Sequence, residues 1–296
     1  MISKIKSLLN RLLEKDEKVI LAIGSMLSLQ QEQIKSTNVN DFEFKIFSQF
    51  GDDGIIQYLI KNIEIKNQIF IEFGVEDYSE SNTRFLMMNN NWEGLILDGS
   101  KKAIRKIEGR SWFWKYSLIA KCAFITRENI NQLLAIPNYS DIGLLHIDID
   151  GNDYHILEEI DLKKLNPSMI IMEYNSVFGN ERSISVPYNK NFYRTNEHFS
   201  NLYFGASLPA LTYLANQKGY SLVCCNLAGN NAYYVRKDLL NEKVREISNQ
   251  EAFKISKFRE SRDKKGNLSL LYGAERYNII KGKDVINVIS NQMEYL

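Results

Sequence analysis

The sequence predicts an α/β fold: a mainly parallel, Rossmann-like seven-stranded sheet with helices on both faces and a C-terminal antiparallel hairpin. Apolar strand-like runs alternate with helical patterns from about residue 68, and such alternation implies right-handed crossovers between parallel strands. A helix followed by a hairpin signal closes the series between residues 207 and 236. Several of the runs end in an acid or a glycine, at the carboxyl edge where open parallel sheets bind their ligands.

The elements follow in order. Ile2, Ile5, Leu8, Leu9, Leu12 and Leu13 repeat at helical spacing opposite Lys4, Lys6 and Arg11, which predicts a helix over residues 1 to about 36. Its apolar stripe has two readings. One is a helix packed on its own domain or on a partner subunit, which admits a homo-oligomer through these helices. The other is a basic amphipathic helix resting on a membrane surface. Ile69 to Phe73 reads as a strand ending at Gly74, followed by a polar turn and a helix from about Asn82 to Met88. Trp92 to Leu97 is a second strand, ending at Asp98. Ser117 to Ile125 is a third, and Thr126 caps a helix through Leu134. Leu144 to Ile149 is the fourth strand, and Met169 to Met172, entered through Pro167, the fifth. Ser207 and Pro209 open a helix that stops at Lys218-Gly219. Tyr220 to Cys225 and Ala232 to Arg236 then flank the turn Ala228-Gly-Asn-Asn231.

Composition narrows the function classes. A formal charge of +1 with 25% charged residues offers no electrostatic footprint for nucleic acid. Cys224 and Cys225 are adjacent, too close for an ordinary disulfide, and with Cys122 they fit a reducing cytoplasm. No apolar run reaches the roughly eighteen residues that a membrane span needs, and no signal peptide is read.

The strand ends carry the chemistry. Glu72 and Gly74 occupy the first strand-to-turn position, where a ligand approaches the backbone closely and a missing Cβ removes the clash. Asp98 ends the second strand, where an acid grips ribose hydroxyls in doubly wound folds. The turn after Gly74 holds Glu76 and Asp77 instead of a G-x-G-x-x-G fingerprint, so a pyrophosphate would be repelled while a sulfonium is tolerated. In His146-Ile-Asp148-Ile-Asp150, alternation places the three polar side chains on one face. Glu173-Tyr-Asn175 ends the fifth strand in the same pattern. Carboxylates gathered at neighbouring strand ends demand a cation or a shared proton. An oxygen-rich set suits Mg²⁺ or Mn²⁺, and a nearby imidazole admits Mn²⁺ or Fe²⁺. Asp153 is placed to cap the helix that starts near Tyr154.

A run of parallel strands closed by an antiparallel hairpin resembles the class I S-adenosylmethionine-dependent methyltransferase sheet. The succession SQFGDDG (residues 48–54), IEFGVEDYSESNT, NWEGLILDG, HIDIDGNDY, MEYN, YFGASLPAL and GNNAYYVRKDL is similar to the FkbM-like class I methyltransferases found among bacterial polysaccharide genes. The similarity covers about residues 45 to 240. It divides the chain into a helical extension (1–44), a methyltransferase domain (45–240) and a C-terminal extension (241–296) that packs on the domain or at an interface.

The resemblance implies S-adenosylmethionine as cofactor, contacted by Glu72, Gly74 and Asp98, with Gln49 and Asn82 near its methionine part. It also implies a sugar or sugar-nucleotide hydroxyl as acceptor, for capsular or surface polysaccharide. The departure from the pattern is the glycine-poor turn after Gly74. The carboxyl-edge layout is further similar to metal-dependent O-methyltransferases. This makes Asp150, Glu173 and Asn175 the first candidates for metal ligands, with Asp148 beside them; Asp150 is thereby also catalytic. His198 is the candidate general base, and Phe192, Tyr193, Phe199, Tyr203 and Phe204 are candidates to stack on the acceptor. Two other readings stand beside this one. Asp148-Ile-Asp150 is similar to the nucleophile motif of haloacid-dehalogenase phosphatases, although no later Gly-Asp-x-x-x-Asp completes it. A carbohydrate-binding module that kept the fold without the chemistry is the non-enzymatic one.

Overall fold

The computed structural model describes residues 2–296, with side chains from Asp16 onward. The strands are β1 (Asn67–Phe73), β2 (Glu93–Asp98), β3 (Leu118–Cys122), β4 (Ile142–Ile147), β5 (Met169–Glu173), β6 (Ile184–Ser185), β7 (Tyr220–Cys225), β8 (Asn231–Arg236), β9 (Asp284–Asn287) and β10 (Gln292–Tyr295). Seven of them form the main sheet in the order β3-β2-β1-β4-β5-β8-β7. All neighbours are parallel except β8, which runs antiparallel to both β5 and β7. This is the expected fold class. The smaller β10-β9-β6 sheet is antiparallel and has no counterpart in the sequence reading, because strands of two to four residues are too short to show alternation.

The helices that position the site are α1 (Ile2–Gln30), α2 (Asp52–Asn62), α3 (Arg84–Asn90), α4 (Lys101–Glu108), α5 (Ile130–Leu134), α6 (Asp153–Glu159), α7 (Leu162–Leu165), α8 (Arg194–Glu197) and α9 (Leu208–Gln217). Strands covered on both faces read as continuous apolar runs, and the core shows why. Phe70, Ile96, Leu144, Ile171 and Tyr233 belong to the face covered by α2, α3 and α4. Ile71, Leu97, Leu145, Met172 and Tyr234 belong to the opposite face, under α5, α6 and α9. A third apolar cluster joins β6 and β9 to Phe178, Phe192, Phe204 and Leu296.

The stripe from Ile2 to Leu13 lies outside the described side chains. Further along, α1 is fastened to α2 and α3. Glu17 pairs with the buried guanidinium of Arg84, which also stands 4.2 Å over the Phe47 ring. Ser25 donates to Asn89 and Ser28 to Gln57. No helix among the described residues is long and apolar enough to cross a membrane. All three cysteines are free: Cys122 is exposed at the end of β3, while Cys224 and Cys225 are buried in β7.

The fourth strand is shorter than its apolar run suggests. β4 stops at Ile147 because the Asp153 carboxylate gathers the N–H groups of Ile149 and Gly151 and Asp150 takes a left-handed φ of +57°. Asp153 therefore ties the loop and makes no cap to α6. Asp148 and Asp150 lie beyond the strand and are placed by the loop, so strand alternation with His146 does not describe them.

Candidate functional site

The carboxyl ends of β1, β2 and β4 open on a cleft of about 850 Å³. Phe73 of β1 is in register with Leu97 of β2, so Gly74 and Asp98 leave the sheet side by side, and both line the cleft. Gly74 has φ +70°, and a Cβ there would stand 1.6 Å from the Asp148 carbonyl oxygen. The glycine is thus required by the neighbouring strand end itself, whatever ligand approaches. Asp98 accepts the N–H groups of Glu76 at 2.7 Å and Ser100 at 2.6 Å. Burial raises its carboxyl above the ordinary range, and these two donors offset part of that. Glu76 lines the same wall, pushed up by burial and by the charges of Asp150, Asp98 and Asp77. Leu97, Phe124 and Ile125 complete an apolar strip beside Asp98.

Glu72 and His146 are direct partners in the β1–β4 register, and they use each other. His146 Nδ1 lies 2.9 Å from Glu72 Oε1. Ser81 and Thr83 hydroxyls and the Asn82 N–H also donate to Glu72. Burial opposes charge on both groups, yet the contact holds Glu72 below and His146 above their ordinary ranges. The contact favours the ion pair, and the hydrogen bonds to Glu72 fix the turn from Gly74 to Thr83. Neither residue lines the cleft. Asn82 closes the set, its Nδ2 lying 3.3 Å from His146 Nε2. Gln49 is exposed, outside the cleft, and its carbonyl accepts from Lys45. Its own signal, the 48–54 motif, serves a nearby structural purpose: buried Asp53 collects the N–H groups of Ile46, Phe47 and Ser48.

The acids behave differently. Ile147 of β4 is in register with Met172 of β5, so the next residues, Asp148 and Glu173, emerge together. Asp148, Asp150 and Glu173 each present a carboxylate oxygen within 4.8 Å of the others. Burial and the mutual charge of the cluster raise both Asp148 and Glu173. Glu173 Oε2 is buried with no hydrogen-bond partner, and such an orphaned oxygen is costly unless something binds it. The donor set is all oxygen, with His146 turned to Glu72, so it fits Mg²⁺ or Mn²⁺ better than an iron site that needs imidazole.

Two of the expected residues are not brought to this cluster. Asn175 spends its amide on the Leu202 and Phe204 carbonyls and its oxygen on the Val177 N–H, which ties β5 to the linker before α9. His198 Nδ1 is 2.7 Å from Ser200 Oγ, and the ring does not line the cleft. Phe192 and Tyr193 do line it, whereas Tyr203 is buried and donates its hydroxyl to the Asp284 carbonyl.

Sequence reasoning missed Arg194 and Glu260. Arg194 Nη1 donates to Asp150 Oδ1 at 2.5 Å, its Nη2 donates to Glu260, and its Nε donates to the Asn201 carbonyl at 2.8 Å. The guanidinium also stands 3.7 Å over the Phe204 ring. Only an arginine in a linker rich in asparagine and aromatic residues marked the place in the sequence, which is no specific signal.

Against models of protein families, the chain matches the methyltransferase FkbM domain over residues 61–222, more than half its length. The chain belongs to the FkbM methyltransferase family. The FkbM span runs from the end of α2 into β7 and includes Gly74, Asp98, Asp148, Asp150, Glu173 and Arg194. Membership replaces the phosphatase reading of Asp148 and Asp150. No curated protein matches. Among solved structures, the chain is similar to the O-methyltransferase from Bacillus cereus in complex with SAH, with 15% identity, TM-score 0.42, and coverage of 73% of this chain and 90% of that one. It is also similar to a putative caffeoyl-CoA O-methyltransferase from Staphylococcus aureus, with 13% identity, TM-score 0.40, and coverage of 71% and 97%. A third is the N-terminal domain of EvdMO1, in the presence of SAH and D-fucose, with 12% identity, TM-score 0.40, and coverage of 66% and 87%.

Proposed function

We propose that this FkbM methyltransferase is an S-adenosylmethionine-dependent O-methyltransferase, assisted by a divalent cation, whose acceptor is a hydroxyl of a sugar or sugar nucleotide used in surface polysaccharide. One observation carries the reading. The Asp148–Asp150–Glu173 cluster, with its orphaned and buried Glu173 oxygen, reaches the cleft of Gly74 and Asp98 through Asp148 and Asp150. Asp98 is held by two backbone N–H groups with lone pairs to spare, the arrangement that accepts ribose hydroxyls. The apolar strip of Leu97, Phe124 and Ile125 suits a flat base, and Glu76, outside the cluster, suits a positively charged sulfonium donor.

Asp148, Asp150 and Glu173 would hold the cation, which when bound supplies a positive charge that lowers the pKa of a coordinated hydroxyl. Phe192 and Tyr193 form the wall on which a sugar ring stacks. The acceptor oxygen attacks the sulfonium methyl in line, the C–S bond breaks, and the hydroxyl proton leaves to a carboxylate that lines the cleft outside the ligand set, such as Glu76. That carboxylate takes the part first assigned to His198. The sugar and polysaccharide assignment is supported by the sequence resemblance alone.

Titration calorimetry with S-adenosylmethionine, together with mass spectrometry over a panel of nucleotide sugars with and without Mn²⁺, tests the proposal. Donor binding and one added methyl group are expected, with turnover lost on chelation and reduced about a hundredfold or more in Asp150→Ala and Glu173→Ala. Absence of donor binding under every metal condition would leave a binding module in place of an enzyme. Full turnover in the presence of a chelator would remove the cation.

A further inference from the structure

We propose that Arg194 is a resident cation of the acidic cluster that competes with the divalent ion for Asp150; the inference rests on the metal reading above. The Arg194 side chain is only 15% exposed, and two of its nitrogens are committed to carboxylates of opposite origin. Asp150 belongs to the loop after β4, and Glu260 to the C-terminal extension. Between them the guanidinium is clamped by the Asn201 carbonyl and the Phe204 ring. In this arrangement the positive charge that three crowded carboxylates require is supplied from inside the chain.

A divalent ion bound through Asp150 Oδ1 would stand within a few ångströms of a guanidinium nitrogen that already holds that oxygen at 2.5 Å. Two cations at that separation repel. Seating the ion therefore requires Arg194 to leave Asp150. It has a place to go, because Glu260 and the Phe204 face keep their hold when the Asp150 contact opens. Arg194 thus releases Asp150 and stays on Glu260 as the ion enters, and Glu260 sets how readily this happens. Mn²⁺ binding then senses the C-terminal extension, although that extension contributes no oxygen to the cluster. Arg262, which lines the same cleft from the same extension, makes no contact with the cluster and serves as the comparison.

The test is Mn²⁺ binding to the full chain without methyl donor, by calorimetry and by the loss of the free-ion electron paramagnetic resonance signal. Arg194→Gln is expected to bind Mn²⁺ about tenfold or more tightly than the natural chain, and Arg262→Gln within about twofold of it. Glu260→Gln, which leaves Asp150 as the sole carboxylate for Arg194, is expected to bind about threefold or more weakly. This second variant decides the matter if Arg194→Gln fails to fold. Equal or weaker binding by Arg194→Gln, or equal tightening in Arg262→Gln, would overturn the competition. If the natural chain and Arg194→Gln both ignore millimolar Mn²⁺, the metal reading falls and takes this one with it. If the natural chain binds as tightly as Arg194→Gln, only the role of Arg194 falls.

Discussion

At the scale of single residues, the site depends on a glycine whose absent side chain makes room for a neighbouring backbone. Gly74→Ala places a methyl group 1.6 Å from the Asp148 carbonyl at a φ of +70°. The clash is with backbone, so relief requires the ends of β1 and β4 to separate. A loss of about 2–4 kcal/mol in unfolding free energy is expected, measured by denaturant titration, together with weaker donor binding because Asp98 and Asp148 diverge. Asp53 yields a pH prediction. Burial pushes its carboxyl up to about 6 against four hydrogen bonds that oppose the rise. A carboxyl raised in the folded state holds its proton where the unfolded chain has released it. Stability from this group is therefore greatest below about pH 4 and is lost as pH climbs to about 6, an effect of at most roughly 3 kcal/mol. The melting temperature of Asp53→Asn is expected to change less than that of the natural chain across this window. Parallel curves would show that Asp53 does not titrate there.

At the scale of elements, α1 is held by a contact that reaches from Glu17 to Arg84, the first residue of α3. Arg84 is buried beneath Phe47 and Trp112, and burial pulls its guanidinium down while Glu17 holds it up. Removing Glu17 leaves an uncompensated buried charge, so Glu17→Ala is expected to cost about 3 kcal/mol. Faster proteolysis within α1 than within the sheet is the accompanying readout. The central strands β2, β4 and β5 were legible in the sequence because they are buried on both faces and run up to an acid, whereas β3, largely exposed at the sheet edge, showed only its apolar residues. Asp98, Asp148, Asp150 and Glu173 were legible as site candidates for the same reason, since they stand where apolar runs stop. His146 and Glu72 were visible as polar interruptions of strands, but not as partners of each other, because pairing depends on the β1–β4 register. Asn175 and His198 carried the right chemistry at the right distance along the chain, and local hydrogen bonds claimed both. Arg194 and Glu260 meet across 66 residues, a contact that no local pattern encodes.

At the scale of the whole molecule, the cleft has walls of unequal origin. Its floor belongs to the seven-stranded sheet, and the side lined by Phe192 and Tyr193 leans on the third apolar cluster, built from Phe192, Phe204, β9 and Leu296. Val285 is fully buried there. Val285→Ala is expected to cost about 1–3 kcal/mol and to raise hydrogen exchange around β6, β9 and β10 well before the main sheet responds. Turnover should fall more than donor affinity, since Asp98 and Gly74 are anchored elsewhere. Uniform exchange across both sheets would show instead that they open as one unit.

The placement of the sulfur atoms gives the chain an internal gauge of its own integrity. One thiol stands in solvent at the tip of β3, next to Gly99 of the cleft, while two lie sealed in β7. A mild aromatic disulfide reagent should consume a single equivalent from the native chain and three after denaturation. The same exposed sulfur offers a unique anchor for a fluorophore whose emission would report on what enters beside it.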